Sequence, residues 1–128
     1  MAQRTTTTTT STTRELKRYR TELQRLAAEL ADIGFFTPGS LVQRYTSCGK
    51  EGCRCQADPP QLHGPYWQWS RVEGRKTITR RVRDDEVSLY QEWIANRRRL
   101  RGVVAEMEAV SQRATDLLLA QSHEHLNR

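Results

Sequence analysis

Apolar residues return every three or four positions from Leu16 through Tyr19, Leu23, Leu26 and Leu30 to Ile33, a spacing that predicts an amphipathic helix over residues 14–34. Thr12 or Thr13 can cap its start, Gly34 ends it, and Pro38 forbids its continuation. A longer stripe runs through Leu89, Trp93, Asn96, Leu100, Val103, Met107, Val110, Ala114 and Leu117. It predicts a second helix over residues 84–120, opened by Asp84, Asp85 and Glu86 at the positive end of the helix dipole. Both stripes are narrow, about two positions in seven, the seam of helices that pack on helices. Two arrangements satisfy them: an antiparallel helical hairpin or coiled coil within one chain, or a dimer covering what the shorter helix cannot reach. Asn96 is a polar seam residue able to fix register, and Gly102 marks a bend or a close helix approach.

Between the helices the period changes to two. Residues 40–45 read as a short strand, and residues 66–72 and 76–82 as a hairpin turning at Glu73-Gly74. That turn sets Trp69 opposite Ile78, Trp67 opposite Arg80 and Pro65 opposite Val82. One face then gathers Trp67, Trp69, Ile78 and Val82; the other carries Tyr66, Gln68, Ser70, Thr77, Thr79 and Arg81. The tryptophans are expected to roof the neighbouring cysteine loop and meet the helices, with base stacking as the alternative role. Residues 1–13, dominated by threonine, lack any apolar period and are expected to be disordered, and residues 121–128 to form a flexible tail. The fold class is α+β: N-terminal helix, small stapled β module over 35–83, long C-terminal helix.

The staple comes from Cys48, Cys53, Cys55 and His63, which gather every cysteine and one histidine of the chain into one short segment. Three thiolates and an imidazole can close a tetrahedral shell around a structural zinc ion, with Gly49, Gly52 and Gly64 letting the backbone bend. A redox Cys-x-Cys pair and three inert thiols are the alternatives. Asp58, His123 and His125 are backup ligands. The odd cysteine count argues against a secreted disulfide framework. No apolar run reads as a signal peptide or membrane span, so a cytoplasmic protein is expected, nucleoid-associated if it binds DNA, with no membrane partner and no small-molecule substrate. A mean hydropathy of -0.80 leaves little material for a large core, which is where a metal staple matters most.

Charge then locates a partner. Of a net +6, residues 71–83 hold six cations (Arg71, Arg75, Lys76, Arg80, Arg81 and Arg83) against the single acid Glu73. A cationic two-stranded ribbon has the width to enter a major groove or follow a phosphate backbone, so nucleic acid, DNA above all, is the expected partner. Arg97, Arg98, Arg99 and Arg101 form a second cluster, but they wrap around a helix and cannot share one face.

The elements Gly39-Ser40-Leu41-Val42, Cys48-Gly49-Lys50, Cys53-Arg54-Cys55, Asp58-Pro59-Pro60, His63-Gly64-Pro65-Tyr66 and Gly74-Arg75-Lys76-Thr77 resemble a family of short bacterial cysteine-rich proteins of unassigned function. The resemblance covers roughly residues 39–101 and is associated with genomes rich in mobile elements. It implies an accessory role beside a transposase or recombinase and no catalytic residue. Nothing else in the chain supplies an enzyme's chemistry: there is no Gly-rich phosphate loop and no His-Glu-x-x-His. The competing class is a scaffold or regulator whose heptad stripe, through residues 89–118, captures a partner protein's helix.

Overall fold

A computed structural model describes residues 2–126. The element order is α1 (Ala2–Ala31), β1 (Ser40–Thr46), β2 (His63–Glu73), β3 (Lys76–Val82) and α2 (Val87–Leu126), with 3₁₀ turns at Arg54–Gln56 and Asp84–Glu86. This is the α+β order expected from the sequence. The chain divides into two compact units, residues 1–33 with 98–128 and residues 34–97.

In the helical unit, Leu26, Val103 and Val110 are buried, with Tyr19, Leu23, Leu30 and Met107 packed around them. These are stripe positions from both helices, so the narrow seam is what the unit buries. Leu26 is fully buried, and Leu26→Ala is expected to cost about 3 kcal/mol, within the range for a leucine cavity. Urea unfolding followed by far-UV circular dichroism checks it. An unchanged midpoint would mean that the two helices do not share this core.

Both helices exceed their predicted lengths. α1 starts at Ala2 rather than at residue 14, so the threonine tract expected to be disordered continues the helix. Once a helix is nucleated, each added residue brings another backbone hydrogen bond, and that outweighs threonine's modest helix propensity. At the other end the last turn tightens, with Asp32 N–H donating to Glu29 O and Ile33 N–H to Leu30 O, which ends α1 at Ala31 instead of residue 34. α2 likewise runs through the expected tail to Leu126, while residues 127 and 128 of that tail and Met1 lie outside the described residues. Open space surrounds Gly102, so it marks no close helix approach.

The second unit is a three-stranded antiparallel sheet of order β1-β2-β3 capped by the first turns of α2. The observed register sets Trp67 opposite Val82, Trp69 opposite Arg80, Arg71 opposite Ile78 and Glu73 opposite Lys76. The expected register was therefore wrong by two residues. The two-residue turn is Gly74-Arg75, and Gly74 at φ +64° in its first position is the requirement of a type II′ turn. Because the displacement is even, the assignment of side chains to faces is unaffected. One face buries Trp69 and Val82 against Tyr90 and Ile94, with Leu41, Trp67, Val87 and Trp93 packed around them. Trp69 lies 5.6 Å from Tyr90 between ring centroids, and Tyr90 lies 5.3 Å from Trp93. The tryptophans thus serve the contact with α2.

Two corrections concern the seam of α2. Leu89 is 45% exposed, and the buried positions of the first turns are Tyr90 and Ile94. Here the helix faces a flat sheet rather than another helix, so its buried side is displaced from the seven-residue repeat that holds further along. Asn96 uses its side chain as a tie: Nδ2 donates to Phe35 O at 2.8 Å, while Thr37 N–H donates to Trp93 O. No helix among the described residues is long and apolar enough to cross a membrane.

Candidate metal centre

The connection from β1 to β2, residues 47–62, buries one residue only, Cys55, at 3% exposure. A loop of this length with no apolar side chain inside it has no hydrophobic reason to adopt one conformation. Its order comes from polar ties. Gln56 Nε2 donates to Cys48 O at 2.7 Å, Gln56 N–H to Cys53 O at 2.9 Å, and Gln61 N–H to Arg54 O at 3.0 Å. At Gly52 the chain takes φ +80°, a turn that brings Cys53 and Cys55 back toward Cys48.

His63 arrives from the opposite side as the first residue of β2, paired with Thr46. Just after it the register slips, so that Gly64 and Pro65 together stand opposite Tyr45, a β-bulge of the kind that re-aims side chains next to functional sites. Gly64 has φ +124°, and a Cβ there would lie 2.7 Å from Arg44 O, so the bulge requires glycine.

These elements bring the four sequence-selected ligands together. The donor atoms of Cys48, Cys53, Cys55 and His63 all lie within 4.8 Å of one another. Cys48 Sγ and Cys55 Sγ are 3.5 Å apart, and Cys53 Sγ is 3.2 Å from His63 Nε2. A tetrahedral ion with sulfur at ~2.3 Å and nitrogen at ~2.0 Å needs donors about 3.5–3.8 Å apart, so the two close pairs already match one metal ion and wider pairs, up to 4.8 Å, would close on it. Asp58, His123 and His125 are not part of it. Cys48 N–H donates to Cys55 Sγ at 3.3 Å, a contact that favours the thiolate, and it could not have been found from ligand spacing.

The thiols are electrostatically unequal. The backbone N–H of Cys55, helped by contacts from Cys48, Cys55 and His63, pulls the Cys53 thiol down to about 6, so Cys53 is mainly thiolate at neutral pH. For Cys48 the backbone N–H of Lys50 acts in the same direction, but contacts with the Cys55 and Cys53 thiols outweigh it and the thiol is raised. Grouped thiolates repel one another, and a cation among them removes that repulsion.

The expected nucleic-acid residues separate into distinct environments. Arg71 lies 5.5 Å from the Trp69 ring, pairs with Glu73 at 3.1 Å, and has its Nε buried without a hydrogen-bond partner. Arg83 pairs with Asp85 and Glu86 at the start of α2. Arg81 stacks over Tyr66 at 4.7 Å. Among the described residues, Arg75, Lys76 and Arg80 are exposed and have no carboxylate within ion-pair distance. On α2, Arg98, Arg99 and Arg101 are exposed and Arg97 is half-buried.

The chain belongs to a family whose function is unassigned: the model for a domain of unknown function (DUF6788) matches residues 14–95. The matched stretch takes in α1 from the end of the threonine tract, the whole loop and sheet, and the first turns of α2. It begins upstream of the segment that carries the sequence resemblance. Neither the curated proteins nor the solved structures include a match to the chain.

Proposed function

We propose that this member of the DUF6788 family is a non-catalytic, zinc-stapled protein that binds duplex DNA through the tip of its β2–β3 hairpin. Zinc is the ion best suited to three thiolates and an imidazole in tetrahedral array, and four protein donors leave no open position for chemistry on a substrate. One observation carries the nucleic-acid reading. β1 pairs with β2 no further than Ser40 opposite Ser70, whereas β2 and β3 continue as a two-stranded ribbon to Glu73 opposite Lys76. The ribbon's free cations Arg75 and Lys76 sit at its tip, beyond the three-stranded part, and Arg80 follows on β3 in the three-stranded part, opposite Trp69. A two-stranded ribbon of this kind fits a major groove, and unpaired cations are what release counterions from phosphates.

Three phosphate contacts on duplex DNA correspond to a slope of log affinity against log salt of about -3. Replacing Arg75 and Lys76 together by alanine is expected to weaken binding and flatten that slope by about 2. Fluorescence anisotropy across a salt series measures both, and a slope unmoved by the double variant would reject the tip.

A second reading follows from exposed apolar side chains near the end of α2, where Leu118, Leu119 and Leu126 are 50%, 58% and 79% exposed. In it the protein is a scaffold whose helices take up a protein partner or a second copy. Duplex binding that fails at low salt, with self-association lost on Leu118→Ser and Leu119→Ser, would favour this reading over the first.

A further inference from the structure

We propose that the sheet's open face is a second contact surface, selective for unpaired nucleotides of single-stranded nucleic acid; the proposal rests on the nucleic-acid reading above and extends it.

The face is defined by register. β1 contributes Ser40, Val42 and Arg44; β2 contributes Tyr66, Gln68, Ser70 and Val72; β3 contributes Thr77, Thr79 and Arg81. The buried cluster of this unit draws on the opposite face, through Leu41, Trp67, Trp69 and Val82. Val42 and Val72 are 40% and 74% exposed, as expected of a face that no described element of this unit covers. It holds two arginines and no acid among its described residues.

Tyr66 sits at the centre of this face. It lies on the middle strand, paired directly with Arg44, and Arg81 extends from the far strand over its ring at 4.7 Å. The tyrosine is half-buried while both arginines are exposed. A guanidinium lying on an aromatic ring offers its other plane for stacking, and nucleobases stack on such planes and on aromatic rings without regard to sequence. Arg44 is placed to meet a phosphate of the same strand. Beside the stack, Gln68 Nε2 donates to Ser70 Oγ at 3.4 Å, and Ser70 Oγ lies 3.5 Å from Thr79 Oγ1. These weakly held amide and hydroxyl groups can exchange partners for a base edge. In a duplex the base faces are covered by their neighbours, so a recessed aromatic on a flat sheet selects unpaired nucleotides, whereas the hairpin tip needs only phosphates.

The test uses the full, zinc-loaded chain with short fluorescent single-stranded DNA, single-stranded RNA and duplex DNA of equal length. Tyr66→Leu should weaken single-strand binding about tenfold or more, as expected for one lost stacked base, and leave duplex binding unchanged. Tyr66→Trp should restore it, and Arg81→Ala, an exposed change, should reproduce the loss; zinc content and unfolding midpoint report that each variant is folded. The Arg75 and Lys76 double variant should show the reverse pattern. The DNA and RNA arms decide whether the sugar matters. Equal single-strand affinity in parent and Tyr66→Leu, or equal loss on single strand and duplex, overturns the open-face proposal. Duplex binding with no single-strand binding overturns it while leaving the hairpin tip in place. Absence of binding to all three probes removes the nucleic-acid reading itself.

Discussion

Removing the metal, by chelation or by Cys55→Ser, is expected to abolish the folded state of residues 34–97. In that unit only Trp69, Val82, Tyr90 and Ile94 form a buried apolar cluster, and residues 47–62 contribute nothing to it, their one buried residue, Cys55, lying outside the cluster. Burial of a few large side chains at about 1.5–3 kcal/mol each scarcely offsets the entropy of ordering a module of this length. Structural zinc contributes about 10–16 kcal/mol of apparent binding energy at neutral pH, as much as the whole stability of a typical domain. All three tryptophans, Trp67, Trp69 and Trp93, lie within this unit, so their fluorescence and near-UV dichroism should collapse on chelation. The helical unit has its own core of Leu26, Val103 and Val110, and the far-UV helix signal should fall much less. Tryptophan spectra unaltered by chelator would mean that the sheet stands without the ion.

The second large effect is expected at Trp69. It is 8% exposed, packs at a tilt against Tyr90, carries the Arg71 guanidinium, and donates from Nε1 to Pro38 O at 2.9 Å. Trp69→Ala removes the centre of the cluster and should destabilise the unit by about 3–5 kcal/mol. Trp69→Phe keeps most of the apolar volume but leaves Pro38 O without its donor, and about 1–2 kcal/mol is expected. The pair separates packing from hydrogen bonding. Urea titration followed by the remaining tryptophans gives both values, and equal midpoints for Trp69→Ala and parent would place the core elsewhere. Gly39 adds an independent constraint on the same spot: at φ +109°, a Cβ there would come within 2.7 Å of Trp69 Nε1, so the loop passes Trp69 only because residue 39 has no side chain.

Sequence patterns read different parts of this molecule with unequal success, for physical reasons. The stripes of α1 and α2 were legible because helical periodicity is local, and the closeness of Cys48, Cys53, Cys55 and His63 was legible because three thiols and an imidazole within one short segment have few other reasons to gather. The hairpin register was missed because Glu73-Gly74 and Gly74-Arg75 are both plausible turns, and only the positive φ of Gly74 in the first turn position decides between them. Tyr90 and Ile94 were missed because a heptad reading assumes that a helix faces a helix throughout. The Arg44–Tyr66–Arg81 grouping draws on three strands, with Arg81 reaching Tyr66 diagonally from its place opposite Gln68, and it is complete only once β1 is paired with β2, a non-local contact with no sequence period. The threonine tract was misread for the opposite reason, since its composition hid its continuity with a strong helix.

Native mass spectrometry of the purified chain, supplied with equimolar zinc, decides whether the cysteine loop holds an ion. One zinc ion per chain is expected at neutral pH, released as acid protonates the thiolates and absent from Cys55→Ser. A parent chain that stays folded and carries no metal under those conditions would contradict that expectation.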